Sequence, residues 1–232
     1  MDLVYPIGTG SYWNNNELRF SLRSVEKHLC NVGKVWIIGD LPDWLQNIHH
    51  ISMHDSAGRP PDYNMMKKLA RACQEVELSE DFVYFNDDHY LLSDFDANTF
   101  PFYRMGTIEE YLKGRGLDGY GKRCRNTLKS LNGNSKYYYD IHYPIKFNKK
   151  DFRELVVEAV DWNVPHAYII KSLYANKLNI ELVSNDVKDY KINTIPPPEA
   201  KVFSSYPHMK DTVKMYLNER FPEQSKYERV GI

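Results

Sequence analysis

Four consecutive apolar residues, Phe82-Val83-Tyr84-Phe85, run directly into Asn86-Asp87-Asp88-His89. Two adjacent carboxylates with Asn and His beside them offer hard donors of the kind Mg²⁺ and Mn²⁺ take. An ion held there bridges a diphosphate and neutralises charge on a departing phosphate oxygen. The competing reading is a solvated Asp-Asp turn that ends a strand, and spacing alone leaves both open. Arg19 and Arg23 stand i, i+4, off the apolar stripe formed by Leu18, Leu22, Val25 and Leu29. Two guanidiniums so spaced can grip a diphosphate through forked hydrogen bonds, or pair with Glu17 or Glu26 on a solvated face. Asn64 and Lys68 share a second helical face and suit nucleotide contacts, with a surface role as the alternative. Asp40 ends another apolar run, where it suits a ribose or base hydrogen bond, or a plain turn.

Between Lys113 and Lys150 there are ten Lys or Arg against Asp118 and Asp140. Tyr137-Tyr138-Tyr139 and Tyr143 are interleaved with them. Basic groups with aromatics suit an anionic, ring-bearing partner: a nucleotide, an acidic glycan or a nucleic acid such as phage-type DNA. A solvated insertion balanced by acids elsewhere accounts for the same residues. A non-catalytic nucleic-acid-binding protein therefore remains a third class of reading.

The elements that must position these groups fit one α/β domain of 232 residues. Strands are predicted at 3–7, 35–38, 48–51, 82–85 and 180–183. Helices are predicted from Asn14, with Glu17 completing a capping box, and over 65–76, 107–113, 149–160, 165–176 and 209–220. The helix over 65–76 would turn Met65, Leu69, Ala72, Cys73 and Val76 inward. Alternating strands and helices in the first half imply right-handed crossovers and a mainly parallel sheet flanked by helices. The second half reads as more irregular and helical. In such sheets ligands bind beyond the carboxyl ends of the strands, where Asp87 and Asp88 fall.

Net charge is −1, so the overall field favours no class of partner. Three scattered cysteines argue against a thiolate zinc site and fit a reducing compartment. No apolar run approaches the length of a membrane span and no leader pattern opens the chain, which points to a cytoplasmic protein.

Asn16-Glu17-Leu18-Arg19-Phe20-Ser21-Leu22-Arg23-Ser24-Val25-Glu26-Lys27, Val35-Trp36-Ile37-Ile38-Gly39-Asp40, Pro42-Asp43-Trp44-Leu45 and 82–89 occur in an order that resembles the second conserved region of the Stealth sugar-phosphate transferases. Small bacterial and phage glycosyltransferase-like proteins are similar. His142-Tyr143-Pro144 resembles the family's His-x-Pro segment, and 201–228 resembles its last conserved region. The resemblance implies a GT-A-like (Rossmann-like) fold and transfer of a sugar 1-phosphate from a UDP-sugar to an acceptor hydroxyl, with Mn²⁺ or Mg²⁺ at the acidic motif. Residues 1–105 would then form the nucleotide-sugar-binding half and 106–232 the acceptor side. By position it makes Asp88 and Asp87 metal ligands, Arg19 and Arg23 donor-phosphate contacts, and His142 a catalytic or acceptor-side group. Asp87 is counted among the catalytic residues too.

Two departures bear on the reaction. Pro6-Ile7-Gly8-Thr9-Gly10 replaces the family's Thr-Trp-Val-Asp-Gly, and Ser204-Ser205 replaces its Asn-Asp. His208 follows, and would complete the metal shell as a C-terminal His does in many GT-A glycosyltransferases. Loss of the acidic groups favours a metal-dependent glycosyltransferase, with Stealth-like phosphotransfer in capsule or exopolysaccharide synthesis as the alternative.

Overall fold

The computed structural model describes residues 1–113, 118–132 and 136–229. The first half runs β1 (Asp2–Ile7), α1 (Asn16–His28), β2 (Leu29–Cys30), β3 (Val35–Gly39), β4 (His49–Ile51), α2 (Pro61–Ala72) and β5 (Asp81–Tyr84). Then come β6 (His89–Leu91), β7 (Phe95–Asp96), β8 (Phe102–Arg104), α3 (Ile108–Leu112) and α4 (Gly119–Ser130). The chain closes with β9 (Ile145–Asn148), α5 (Lys149–Ala159), α6 (Ile170–Lys177), β10 (Ser184–Asp186), β11 (Val202–Ser204) and α7 (Asp211–Arg220).

A five-stranded sheet in the order β4-β3-β1-β5-β9 forms the centre. Its first four strands are parallel and β9 is antiparallel to β5. Strands covered on both faces need apolar side chains at nearly every position, and β3 is buried throughout. Alternation sorts them: Leu3, Tyr5 and Ile7 pack against the α1 side, while Val4, Trp36, Ile38, Phe82 and Tyr84 pack against α2, α5 and α6. The architecture is GT-A-like α/β, as the sequence predicts. The later chain completes the sheet begun by the first half through β9, which pairs with β5, and β11 pairs with β6 in a separate two-stranded sheet.

Several local expectations change. Residues 180–183 form a 3-10 turn instead of a strand. An apolar run of four has no periodicity to separate the two, and pairing with β8 begins only at Ser184. Helix α1 starts at Asn16 after Asn14 and Asn15, both left-handed, with no capping box. Glu17 is instead bonded to Ser11. The Thr107–Glu110 capping box does form. Helix α2 ends at Ala72, which leaves Val76 exposed in the turn beyond. Helix α6 starts five residues after Pro165, and α4 and β9 arise in the segment that read as irregular.

The C-terminal segment is fastened to α1 by a buried ion cluster. Glu228, with no side-chain exposure, accepts from Arg23 at 2.7 Å and from Arg19 at 2.9 Å. The Ser225 amide and hydroxyl also donate to it. Burial pushes the Glu228 carboxyl up, but the bonds from Arg23 and Ser225 outweigh it and hold it below 4.5. Its contribution is therefore present above the unfolded value and is lost as pH falls through the folded one. Glu228→Ala strands two half-buried guanidiniums and should cost about 3 kcal/mol in denaturant unfolding at neutral pH, with a smaller difference near pH ~3. A change within error at neutral pH would refute the clamp.

Candidate functional site

The carboxyl ends of β1 and β5 open into a cleft of about 420 Å³. The loop after β1, the first turns of α2, the acidic turn after β5 and residues 205–207 wall it. Gly39, beside it, has φ of +121°, and a Cβ there would strike the Ile7 carbonyl. A glycine lets β3 close against β1. Ser11 shapes the loop after β1: its hydroxyl accepts from the Trp13 and Asn15 amides and donates to Glu17 at 2.8 Å.

Three chains of hydrogen bonds hold the acidic turn. The Asn86 amide donates to His89 Nδ1 at 3.2 Å, and the Tyr84 hydroxyl donates to Asn86 Oδ1. Ser21 of α1 donates to the His89 carbonyl at 2.7 Å. Ser204 of β11 donates to Asp88 Oδ2 at 2.7 Å, and Lys191 Nζ stands 3.8 Å from the same oxygen. His89 is fully buried and braces the turn, so it is no ligand of the cleft. Asp87 makes no such pair. Burial, then the charges of Asp88 and Glu17, push its carboxyl up to about 7.

The structure brings Asp87, Asp88, Asn64 and Lys68 to this cleft. Asn64 and Lys68 have structural duties there: Asn64 Oδ1 accepts from the Ser56 amide, and Lys68 Nζ donates to the Ile7 carbonyl at 2.5 Å and pairs with Asp55 at 2.6 Å. Asp40, expected as a ribose or base contact, directly follows β3 and is outside the lining of this cleft. Arg19 and Arg23, expected as donor-phosphate contacts, are outside the lining of this cleft and are bonded to Glu228, a partner nearly the whole chain away. His208 is exposed and its ring lies tilted against Tyr12, with centroids 4.2 Å apart, and of that pair only Tyr12 lines the cleft.

His142 lies just beyond the acidic turn. Tyr84 pairs with Ile145 across antiparallel strands, so the chain entering β9 passes the carboxyl end of β5. Its Nδ1 is 2.8 Å from Asp189 Oδ2, and its amide donates to Asp189 Oδ1 at 3.2 Å. Asp189 and Lys191 stand two apart on a stretch laid along β11, so one segment engages both His142 and Asp88. Asp189, Lys191, Glu17 and Ser204 escape sequence reasoning because no local pattern ties them to residues so distant.

The basic stretch divides. Residues 114–117 and 133–135 of it lie outside the described residues. Tyr138, Tyr139 and Tyr143 are buried and cannot stack on an external ring. Lys122, Arg125 and Lys129 are exposed along one face of α4, while Arg123 pairs with Asp62 at the cleft.

Among the described residues Glu17, Asp55, Asp62, Asp87 and Asp88 line the cleft together with Lys68. Asp55 is paired with Lys68, Asp62 with Arg123, and Asp88 stands beside Lys191, so Glu17 and Asp87 are the lining carboxyls without a basic partner among the described residues. Among the described residues no three His, Cys, Asp or Glu converge as a closed metal site. Two carboxylates in an open cleft fit an ion that keeps waters and takes phosphate oxygens, as Mg²⁺ and Mn²⁺ do. Among the described residues no helix is long and apolar enough to cross a membrane.

No family model matches the chain. A capsular polysaccharide phosphotransferase of Neisseria meningitidis serogroup B is 31% identical over 107 residues, covering 42% of this chain. The match spans only 28% of that relative's length. A crystal structure of the galactosyltransferase LgtC with donor and acceptor sugar analogs superposes with a TM-score of 0.55 over 99% of this chain and 98% of its own, at 12% identity. An active-site mutant of LgtC gives 0.56 over the same shares, at 10% identity. The fold is thus that of a GT-A glycosyltransferase, and the sequence is similar to a Stealth-type transferase.

With the Asp87 carboxyl pushed up to about 7, a cation bound by Asp87 would have to displace its proton. Mn²⁺ affinity should therefore rise about tenfold from pH ~6 to pH ~8 in calorimetric titration, and the rise should vanish in Asp87→Asn. A flat profile in the wild-type protein would count against Asp87 as a ligand.

Proposed function

We propose that the protein is a metal-dependent glycosyltransferase moving a sugar from a nucleotide-sugar donor, a UDP-sugar first, to an acceptor hydroxyl on a glycan. The observation that carries this reading is the pair Asp87–Asp88 at the carboxyl end of β5, in an acidic cleft with the GT-A fold. Asp88 and Asp87 would hold Mn²⁺ or Mg²⁺, which supplies charge neutralisation for the donor diphosphate. Lys191 beside Asp88 adds a second positive charge near the leaving phosphate. Residues 1–105 form most of the donor side, and 205–207 close it.

His142 belongs to the acceptor side. With Nδ1 engaged by Asp189, Nε2 is the nitrogen left to accept the proton of the acceptor hydroxyl. The hydroxyl oxygen then bonds the anomeric carbon. The bond from that carbon to the β-phosphate oxygen breaks with its electron pair on the phosphate, releasing the nucleoside diphosphate. Lys122, Arg125 and Lys129 on α4 offer an anionic acceptor, acidic glycan or DNA, an electrostatic approach.

Sugar-1-phosphate transfer is the second reading, favoured by the similarity to the capsular polysaccharide phosphotransferase. It differs in where the acceptor attacks, since bonding at the β-phosphorus releases the nucleoside monophosphate. Ser204 and Ser205, bonded to Asp88 and Tyr90, stand where the Stealth pattern carries Asn-Asp, which favours glycosyl transfer. Chromatography of the released nucleotide separates the two: UDP is expected with Mn²⁺ and UMP would overturn the glycosyl reading. Asp88→Ala should lower the rate at least ~100-fold, and release of neither nucleotide from any donor would remove both readings.

A further inference from the structure

Helix α6 holds the segment before β9 almost residue by residue. Asn176 exchanges hydrogen bonds with both backbone groups of Tyr137. Ser172 accepts from the Tyr139 amide and donates to Asp140 Oδ2 at 2.6 Å. Lys171, only 5% exposed, donates to the Ile141 carbonyl at 2.8 Å and the Tyr143 carbonyl at 2.7 Å. Those two carbonyls flank His142. Burying an ammonium is costly unless its protons are used, and here two are spent on the carbonyls of the residues before and after one histidine. Asp189 fixes the same residue from another element, through its amide and through Nδ1.

We infer that Asp189 and Lys171 are positioning residues that present His142 Nε2 as the proton acceptor for the acceptor hydroxyl. This rests on the transferase reading above. Asp189 orients the ring and selects the tautomer with hydrogen on Nδ1. Burial raises the Asp189 carboxyl, but the hydrogen bonds it accepts from the His142 ring and amide counter this, and it lies below the usual carboxylate range. Lys171 sets the backbone: it closes the loop over 141–143 and prevents His142 from rotating out. Neither residue lines the donor cleft, so neither should matter for donor affinity.

The test uses the full chain and three readouts. Nitrogen NMR of the imidazoles, with the His142 signal assigned through His142→Gln, should show the Nδ1–H tautomer in the wild type and a shift towards Nε2–H in Asp189→Ala. With a turned-over UDP-sugar, Asp189→Ala and Lys171→Met should lower kcat at least ~10-fold with donor KM within about threefold. Lys171→Arg, which keeps donors for both carbonyls, should recover part of the loss. Thermal melting identifies any variant that fails to fold, and the tautomer readout in the less buried Asp189→Ala then decides alone. A folded Asp189→Ala with unchanged tautomer, unchanged kcat, or a loss confined to donor KM overturns the inference. A wild type that turns over no donor but shows the Nδ1–H tautomer would instead sink the transferase reading.

Discussion

Negative charge gathered where β5 leaves the sheet is the constraint around which the cleft is arranged. A parallel strand delivers its last residues to the same edge as its neighbours, so Asp87 and Asp88 arrive beside the loop after β1 and the start of α2. Asp88 is stabilised by Ser204 and Lys191, and the braces around His89 keep the turn from relaxing into solvent. Asp87 has burial and like charge against it and holds its proton up to about pH 7. A divalent cation reverses that balance, because it favours the ionised form that burial disfavours. On the proposed reading, Asp87 and Asp88 would together supply half of a metal shell at this strand end.

The fold serves this edge from both ends of the chain. Helix α1 sends Glu17 to the cleft and, one turn later, Ser21 to the acidic turn. Arg19 and Arg23 point away and lock the C-terminal segment through Glu228. Strand β11 and the stretch alongside it then bring Ser204, Lys191 and Asp189 back to Asp88 and His142. One side of α1 organises chemistry and the other organises closure.

The parallel core was legible because β1, β3 and β5 are apolar runs that only a two-sided burial explains. The acidic turn was legible for the same reason, since its position follows from the strand before it. Arg19 and Arg23 show the limit: helical spacing gave their common face, but their partner is Glu228, and no local pattern encodes a contact that far along the chain. Among the tyrosines of 137–143, Tyr138, Tyr139 and Tyr143 are buried, a burial that aromatics beside basic residues do not signal in sequence, because it follows from α6 bonding the backbone of this segment. His142 was found through resemblance. Its holders, Asp189 and Lys171, became visible only when helix and loop were folded together.

Two carboxylates alone make an incomplete shell, so on the proposed reading metal and donor diphosphate complete each other's binding. Calorimetric titration of UDP with and without saturating Mn²⁺ measures this coupling directly, and coupling between sites is reciprocal. UDP affinity should be at least ~10-fold tighter with Mn²⁺, with no such gain in Asp88→Ala. Equal affinity with and without the ion in the wild-type protein would rule out a shared metal–diphosphate site.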